Sequence, residues 1–236
     1  MGRGCCTCFR GCNQTHAPDR VIVSIPRVSR AGILNVSEVR DLERRLGDRR
    51  LTFNILDADP GPVAKIAGAM PLETAPDTYI ITVDDDVAYG PRLVETLVAH
   101  ASRHAAVGFE CVEPRPFDHR HVSTGKWFLF PFDDAAVDCF GWLEGVHGVI
   151  YRRSFFDAAG LLAMQRLAPR GCWFDDDILI AGYLRSRGQA RRIYPHYDRQ
   201  MHAFASEPGL ALIRHPQRDR WSRQCSNRLF GTRYDE

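Results

Sequence analysis

Apolar runs alternate with amphipathic segments along the first half of the chain. Four runs are rich in β-branched and aromatic residues, which is typical of buried strands: 20–25, 51–56, 78–83 and 106–112. The segments between them carry apolar residues three and four positions apart, which predicts helices over 37–46, 63–70 and 91–103. Strands that alternate with helices are typical of a parallel sheet covered on both faces, so the pattern predicts an α/β fold.

The second half of the chain is less regular. Residues 114–138 are aromatic and rich in turn residues, and we interpret them as an irregular lid or a hairpin over a pocket. No internal repeat or low-complexity linker divides the sequence, so a single domain is expected over 20–213. A flexible, cysteine-rich arm at 1–19 and a solvated basic tail at 214–236 are expected to flank it.

Three consecutive aspartates, Asp84, Asp85 and Asp86, follow the third apolar run directly. Carboxylates at the end of a buried strand lie at the edge of the sheet where open α/β folds bind ligands. In extended conformation Asp84 and Asp86 point to one side and Asp85 to the other. A bound Mg²⁺ or Mn²⁺ would relieve the repulsion among three adjacent anions, because these cations take oxygen ligands. The alternative is a solvated acidic turn.

A second acidic triplet, Asp175, Asp176 and Asp177, precedes an apolar segment that ends at Gly188. Acids at the start of a helix and basic residues in its last turn suit the helix dipole, so N-capping is one explanation. One aspartate would be enough to cap the helix, and three are more than capping requires. A carboxylate held at a helix start beside Trp173 and Phe174 could instead serve as a general base.

Three further segments carry candidate binding residues. The turn that begins at Asp59 delivers Lys65 into the start of a helix, where it could meet a ligand carboxylate or phosphate. Two glycines near Trp142 and Glu144, the first of them Gly145, indicate a surface that a sugar ring could approach closely. Glu144 could bind a hydroxyl or pair with an arginine. His202 is a candidate third protein ligand for a metal at the first triplet.

Composition narrows the class of protein. The chain has 236 residues, 44% of them hydrophobic, and a net charge of +2, so no global field favours nucleic acid. No stretch is long and apolar enough for a transmembrane segment, and the N-terminus lacks the apolar core of a signal peptide. We therefore expect a cytoplasmic protein.

The eight cysteines fall into two sets. Four are crowded near the N-terminus without the paired spacing of a zinc site, and they belong either to a disordered arm or to an acylated one that associates peripherally with a membrane: Cys5, Cys6, Cys8 and Cys12. The other four are scattered singly, and without a secretory signal we expect them to be reduced and buried: Cys111, Cys139, Cys172 and Cys225.

Several of these segments, taken in order, resemble one family. They are Val23-Ser-Ile-Pro26, Asp59-Pro-Gly-Pro-Val-Ala-Lys65, Ile80-Ile-Thr-Val-Asp-Asp-Asp86-Val-Ala-Tyr89, the stretch from Gly145 to Asp157, and the helix from Asp176 to Gly188. This order is similar to the nucleotide-sugar half of GT-A glycosyltransferases, and more narrowly to a group of small, inverting, family-2-like enzymes. The resemblance covers about residues 20 to 195.

The resemblance implies a GT-A (Rossmann-like) fold with a mixed, mostly parallel sheet flanked by helices. It implies transfer of a hexosyl or deoxyhexosyl group, with inversion, from a UDP- or GDP-sugar to a hydroxyl acceptor such as a glycan. A divalent metal, Mn²⁺ or Mg²⁺, would bridge the donor diphosphate.

The resemblance also implies a role for each motif residue. The metal would be held by Asp86 and Asp84, with His202 as the further ligand suggested above. The donor would contact Asp84, Asp85, Lys65 and Asp59. Asp177 would be the catalytic base with Asp176 as its competitor, and the acceptor would be framed by Trp142, Glu144 and Gly145.

Two other classes of function stay open. One is a non-catalytic module that binds a nucleotide sugar or a glycan. The other is a metal-dependent nucleotidyltransferase or phosphohydrolase, since these enzymes also use aspartates at strand ends. The first strand ends in Ser24-Ile-Pro26, which offers no nucleophilic aspartate, and Arg27-Val-Ser-Arg-Ala-Gly32 only faintly resembles a glycine-rich phosphate loop.

Overall fold

The computed structural model describes residues 14–29, 32–114, 119–123, 136–194, 202–203 and 216–231. The strands are β1 (Val21–Pro26), β2 (Val28–Ser29), β3 (Gly32–Ile33), β4 (Leu51–Leu56), β5 (Tyr79–Thr82), β6 (Val87–Ala88), β7 (Ala105–Gly108), β8 (Glu110–Pro114), β9 (His119–Ser123), β10 (Val137–Asp138), β11 (Trp142–Leu143), β12 (Val149–Arg152), β13 (Ala190–Ile193) and β14 (His202–Ala203). The helices are α1 (Val36–Leu46), α2 (Ala64–Ala67), α3 (Leu93–Ala99), α4 (Ala158–Leu167), α5 (Asp176–Ser186) and α6 (Arg218–Phe230). The α/β class predicted from the sequence is confirmed.

The largest sheet is mixed and has five strands in the order β10-β13-β7-β12-β5. β13 and β7 run parallel, whereas β12 is antiparallel to both of its neighbours and β10 is antiparallel to β13. β5, β7 and β13 therefore run in the same direction. Because β12 lies between β5 and β7, the only parallel pairing among the described strands of this sheet is that of β7 with β13. The expected mostly parallel pairing is corrected on this point, because a strand from the less regular second half inserts between two strands of the first.

β1 and β4 form a separate parallel pair, with Val21 opposite Leu51 and Pro26 opposite Leu56. α1 joins them and buries Val39 against Leu51 and Phe53. Asn35 is the N-cap of this helix, and its side chain accepts a hydrogen bond from the backbone N–H of Ser37.

The run predicted as one strand over 106–112 is divided between two sheets. β7 belongs to the five-stranded sheet, and β8, which begins at Glu110 after the single intervening residue Phe109, pairs with β11 and β9 in a second sheet. The antiparallel pairing of β8 with β9 agrees with the hairpin interpretation for the described part of 114–138; the remainder of that segment lies outside the described residues. Glu110 consequently stands at the junction of the two sheets.

Two disulfides correct the expectation that the scattered cysteines are reduced. Cys111 of β8 is bonded to Cys139, and Cys172 is bonded to Cys225 of α6. All four residues are buried, as expected. Single cysteines far apart in sequence give no pairing signal, and only the fold brings them together. Disulfides persist mainly in oxidising compartments.

The expected basic tail is not a solvated segment in its described part, 216–231. α6 packs on α5 and on the 3-10 turn Arg170–Trp173, and it buries Cys225, Ser226 and Phe230. The arginines of α6 obscure its apolar positions in the sequence, and the disulfide to Cys172 fixes it to the domain. One face of α6 is therefore part of the core.

The arm is also anchored where it enters the described residues. Gln14 is buried; its side-chain amide donates to the carbonyl of Gly90 and accepts from the backbone N–H of Val94 at the start of α3. Residues 1–13, with the four crowded cysteines, lie outside the described residues. Among the helices that are described, none combines the length and the apolar character needed to cross a membrane.

Candidate functional site

The first acidic triplet lies at the carboxyl end of β5, as the sequence predicted. Asp84 is half-buried, and Asp85 and Asp86 are exposed. The hydroxyl of Tyr89 accepts a 2.9 Å hydrogen bond from the backbone N–H of Asp84 and donates a 3.0 Å hydrogen bond to the carbonyl of Val146. Burial raises the pKa of Tyr89, so its hydroxyl stays protonated. Tyr89 thereby joins the triplet to the turn Gly145–His147.

Lys65 stands on α2, directly after the turn that begins at Asp59. Oδ1 of Asp59 accepts a 2.7 Å hydrogen bond from the backbone N–H of Gly61 and so stabilises the turn. Gly61 has φ +70°, and a Cβ there would lie 2.8 Å from the Trp173 ring. A residue other than glycine would therefore be strained and would collide with the segment that precedes α5. The Asp-x-Gly geometry thus directs Lys65 toward that segment.

Lys65 connects the two acidic triplets. Its Nζ lies 2.8 Å from Oδ1 of Asp84 and 2.9 Å from Oδ2 of Asp176. Burial alone would lower the pKa of Lys65, but the charges of Asp176, Asp84 and Asp177 outweigh burial and hold that pKa well above its ordinary value. The amine is therefore a fixed positive charge between carboxylates from two distant segments.

Asp177 occupies the first turn of α5 and faces the turn Gly145–His147. Its Oδ2 accepts a 2.9 Å hydrogen bond from the backbone N–H of Gly145. Burial, and after it the charge of Asp176, raises the pKa of Asp177 well above its usual range. A Cβ on residue 145 would lie 2.6 Å from Oδ1 of Asp177, so the close approach depends on glycine.

Asp175 has a different partner from the other two acids of its triplet. Its carboxylate accepts a hydrogen bond from the hydroxyl of Ser222 on α6. Beside this contact the rings of Phe174 and Trp221 stack with centroids 4.0 Å apart. The disulfide between Cys172 and Cys225 closes the same junction. The start of α5 is therefore braced by α6, which sequence reasoning assigned to a tail.

The three residues predicted to frame an acceptor have different surroundings in the structure. Gly145 adjoins Asp177, as described above. Trp142 is buried in the core, with its ring centroid 5.9 Å from that of Phe230, and offers no exposed face for stacking, which corrects that prediction. Trp142 is buried because it lies in β11 and is paired with Val112 inside the second sheet, among apolar neighbours.

Glu144 belongs to a cluster that sequence reasoning missed. Nε2 of His147 lies 2.9 Å from Oε2 of Glu110 and 3.9 Å from Oε2 of Glu144. Burial, and after it the hydrogen bond and charge of Glu110, raises the pKa of Glu144 to about 8. A signal was present in the sequence, since Glu110 interrupts an apolar run and His147 follows Glu144 by three residues.

The structure describes the backbone of His202. β14 pairs antiparallel with β6, and His202 stands opposite Ala88, two residues beyond Asp86. The main chain of the suggested third ligand is thus brought beside the first triplet from a segment more than a hundred residues away.

We compared the chain with protein-family models and with curated protein sequences, and neither comparison gives a match. The function is therefore inferred from the residues and their geometry.

Proposed function

We propose that this protein is a metal-dependent, inverting glycosyltransferase of the GT-A type, which transfers a sugar from a nucleoside-diphosphate sugar to a hydroxyl acceptor. One observation carries the proposal: acids from two distant triplets converge on Lys65, at the carboxyl end of β5. The reaction requires one acidic site for a cation and a separate one for a base, and the two triplets supply both.

The residues of the first triplet suit a divalent cation. Asp84 and Asp86 offer carboxylate oxygens at a strand end, and Asp86 is exposed to an approaching ligand. Oxygen donors are those that Mg²⁺ and Mn²⁺ prefer, and an imidazole from His202 would be compatible with Mn²⁺. When bound, such a cation would offset the negative charge that develops on the leaving diphosphate. Lys65 would add a positive charge on the same side.

Asp177 is the proposed base. The acceptor hydroxyl attacks the anomeric carbon, the bond from that carbon to the diphosphate oxygen breaks, and the hydroxyl proton passes to the Asp177 carboxylate. The hydrogen bond from Gly145 orients this carboxylate, and its raised pKa makes it a stronger base than an exposed aspartate. Asp176 is held by Lys65, which favours a positioning role for it.

Two features refine the proposal. The antiparallel β12 between β5 and β7 makes the central sheet mixed, and a mixed sheet supports the proposal, whereas the single parallel pairing among the described strands of this sheet departs from the mostly parallel one that the resemblance implies. The two disulfides favour an oxidising compartment over the cytoplasmic prediction.

Ligand-dependent thermal unfolding tests the donor site. The wild-type chain is heated with UDP-, GDP-, CMP- and dTDP-sugars, each with and without Mn²⁺, since a ligand that binds the folded state raises the melting temperature. We expect a metal-dependent rise with one nucleotide. Asp86→Ala should abolish that rise, whereas Asp41→Asn, a change on the exposed face of α1, should keep it. No rise with any donor would overturn the donor site.

Turnover separates an enzyme from a binding module. With the donor identified, release of the nucleoside diphosphate is measured for wild type and for Asp177→Asn. We expect Asp177→Asn to retain the thermal shift with donor and to lose turnover by about 10²-fold or more, as for removal of a general base. Donor binding without turnover in wild type would favour the non-catalytic module.

A further inference from the structure

Glu110, Glu144 and His147 meet from two segments at the junction of the two sheets. One ligand atom from each lies within 4.8 Å of the other two. Glu110 begins β8, whereas Glu144 directly precedes the 3-10 turn Gly145–His147 after β11 and His147 ends that turn. The backbone N–H of Glu144 donates to the carbonyl of Glu110, and the N–H of His147 donates to the carbonyl of Glu144. The relative position of the three side chains is thus fixed by main-chain hydrogen bonds.

We propose that these three residues form a second divalent-metal site, for Zn²⁺ or a similar transition-metal ion, distinct from the aspartate triplet. One imidazole nitrogen and two carboxylate oxygens are a donor set that Zn²⁺ accepts. The inference does not depend on the proposed glycosyl transfer, because it concerns different residues and needs no nucleotide. It replaces the hydroxyl-binding role predicted for Glu144.

The distances favour an ion over a substrate hydroxyl between these groups. Ligands at about 2.1 Å from a tetrahedral ion are about 3.4 Å apart. The two separations from His147, 2.9 and 3.9 Å, lie on either side of that value. A hydroxyl oxygen needs about 2.8 Å to each partner and would require the groups to separate further. Small shifts of the side chains therefore suffice for a metal.

Charge and burial point in the same direction. The Glu110 side chain is 9% exposed and that of His147 15%, so two carboxylates share a largely desolvated position with a histidine. Buried charges are generally paired or coordinate metals. Metal ligands must be deprotonated, so binding would release any proton that these groups hold, and the two ionised carboxylates with a neutral imidazole would then carry the −2 charge that a divalent cation neutralises. The Glu144 side chain is 22% exposed, which leaves one open side for a water ligand. Three protein ligands and one open position are typical of a reactive zinc site.

Metal binding by the full-length chain tests the site, with Zn²⁺ and Co²⁺ alone as probes. The N-terminal cysteines are replaced by serine to remove competing thiolates, and Asp86→Asn is included to weaken the first triplet. We expect this background chain, after chelator treatment, to bind one equivalent of Zn²⁺ in equilibrium dialysis and to give visible Co²⁺ absorption of a nitrogen and oxygen site. His147→Ala and Glu144→Gln should each lose that equivalent, and His104→Ala, an exposed histidine, should keep it.

Circular dichroism and thermal unfolding in chelator establish that each variant is folded. If His147→Ala does not fold, the conservative variant Glu144→Gln still shows whether the bound equivalent of Zn²⁺ depends on this cluster. Binding that survives in both variants would overturn the assignment, as would a background chain that binds no metal. Either result leaves the donor experiments unaffected, since they are read from nucleotide-dependent shifts.

Discussion

The backbone N–H of Gly145 donates a 2.9 Å hydrogen bond to Oδ2 of Asp177, and this bond joins the turn after β11 to the first turn of α5. The contact orients a carboxylate whose pKa is raised by burial. Glu144, directly before Gly145, belongs to the proposed metal cluster, as does His147 at the end of the same turn. The geometry of this turn therefore controls both the proposed catalytic residue and the proposed metal cluster.

Gly145→Ala should perturb the site more than the fold. The new Cβ would lie 2.6 Å from Oδ1 of Asp177 and 3.0 Å from Nζ of Lys65, so the carboxylate must move. We expect a loss of stability of about 1–3 kcal/mol, as for overpacking, together with at least a tenfold loss of turnover. Urea unfolding and turnover measure the two effects.

Gly108→Ala is the matched control for that change. A Cβ on Gly108 would meet Val149 and Leu143 at 3.4–3.5 Å, which is ordinary contact. Turnover should stay near the wild-type value. If both alanine variants lose turnover equally, the Gly145 contact has no special role.

Lys65→Met should expose the repulsion between the two triplets. Removing the amine leaves Asp84 and Asp176 without the cation that lies within 2.9 Å of both. Breaking a largely buried ion pair from one side costs about 3 kcal/mol. Adding Asp176→Asn to Lys65→Met should recover part of that loss, as a double-mutant cycle in urea measures.

The exposed pair between Arg44 and Asp41 on α1 supplies the comparison. Arg44→Met should change the free energy of unfolding by about 0.5 kcal/mol or less, since surface pairs contribute little. Additive effects of Lys65→Met and Asp176→Asn would contradict the proposed coupling.

Cys225→Ser should destabilise the start of α5. The disulfide closes a loop with a sequence separation of 53, and the loss of such a bond costs about 2–5 kcal/mol. Turnover should fall as well, because α6 also holds Asp175 through Ser222. Titration of thiols in the denatured chain checks the premise: the four described cysteines should contribute thiols only after reduction, so reduction should release at least four more thiols than the unreduced chain shows.

Local patterns were sufficient to predict parts of this molecule and insufficient for others. The strand before Asp84 and the helix after Asp177 follow from runs of apolar residues and flanking turn residues, which are properties of neighbours in sequence. The pairing of Cys172 with Cys225 and the burial of Trp142 depend on contacts between distant segments. A periodic pattern does not show which distant segments pack together. The disulfide was therefore not predicted, and the prediction of an accessible Trp142 was wrong.

Some residues of the candidate site could likewise be predicted from the sequence, and others could not. Both acidic triplets and Lys65 were identified from their spacing, and the structure brings them together. Glu110 was missed because an acid within a strand usually faces solvent. Here the strand changes sheets after Gly108, and the side chain turns toward His147.

The pH dependence of stability tests the environment of Glu144. The pKa of this carboxyl is raised by burial from 4.5 to about 8, so the folded state holds a proton that the unfolded state releases. The contribution is fully present below pH 4.5 and is lost as pH rises to about 8. In chelator, Glu144→Gln should flatten that decline in urea unfolding, while the exposed change Glu38→Gln should not. An unchanged slope in Glu144→Gln would place the buried proton on another group.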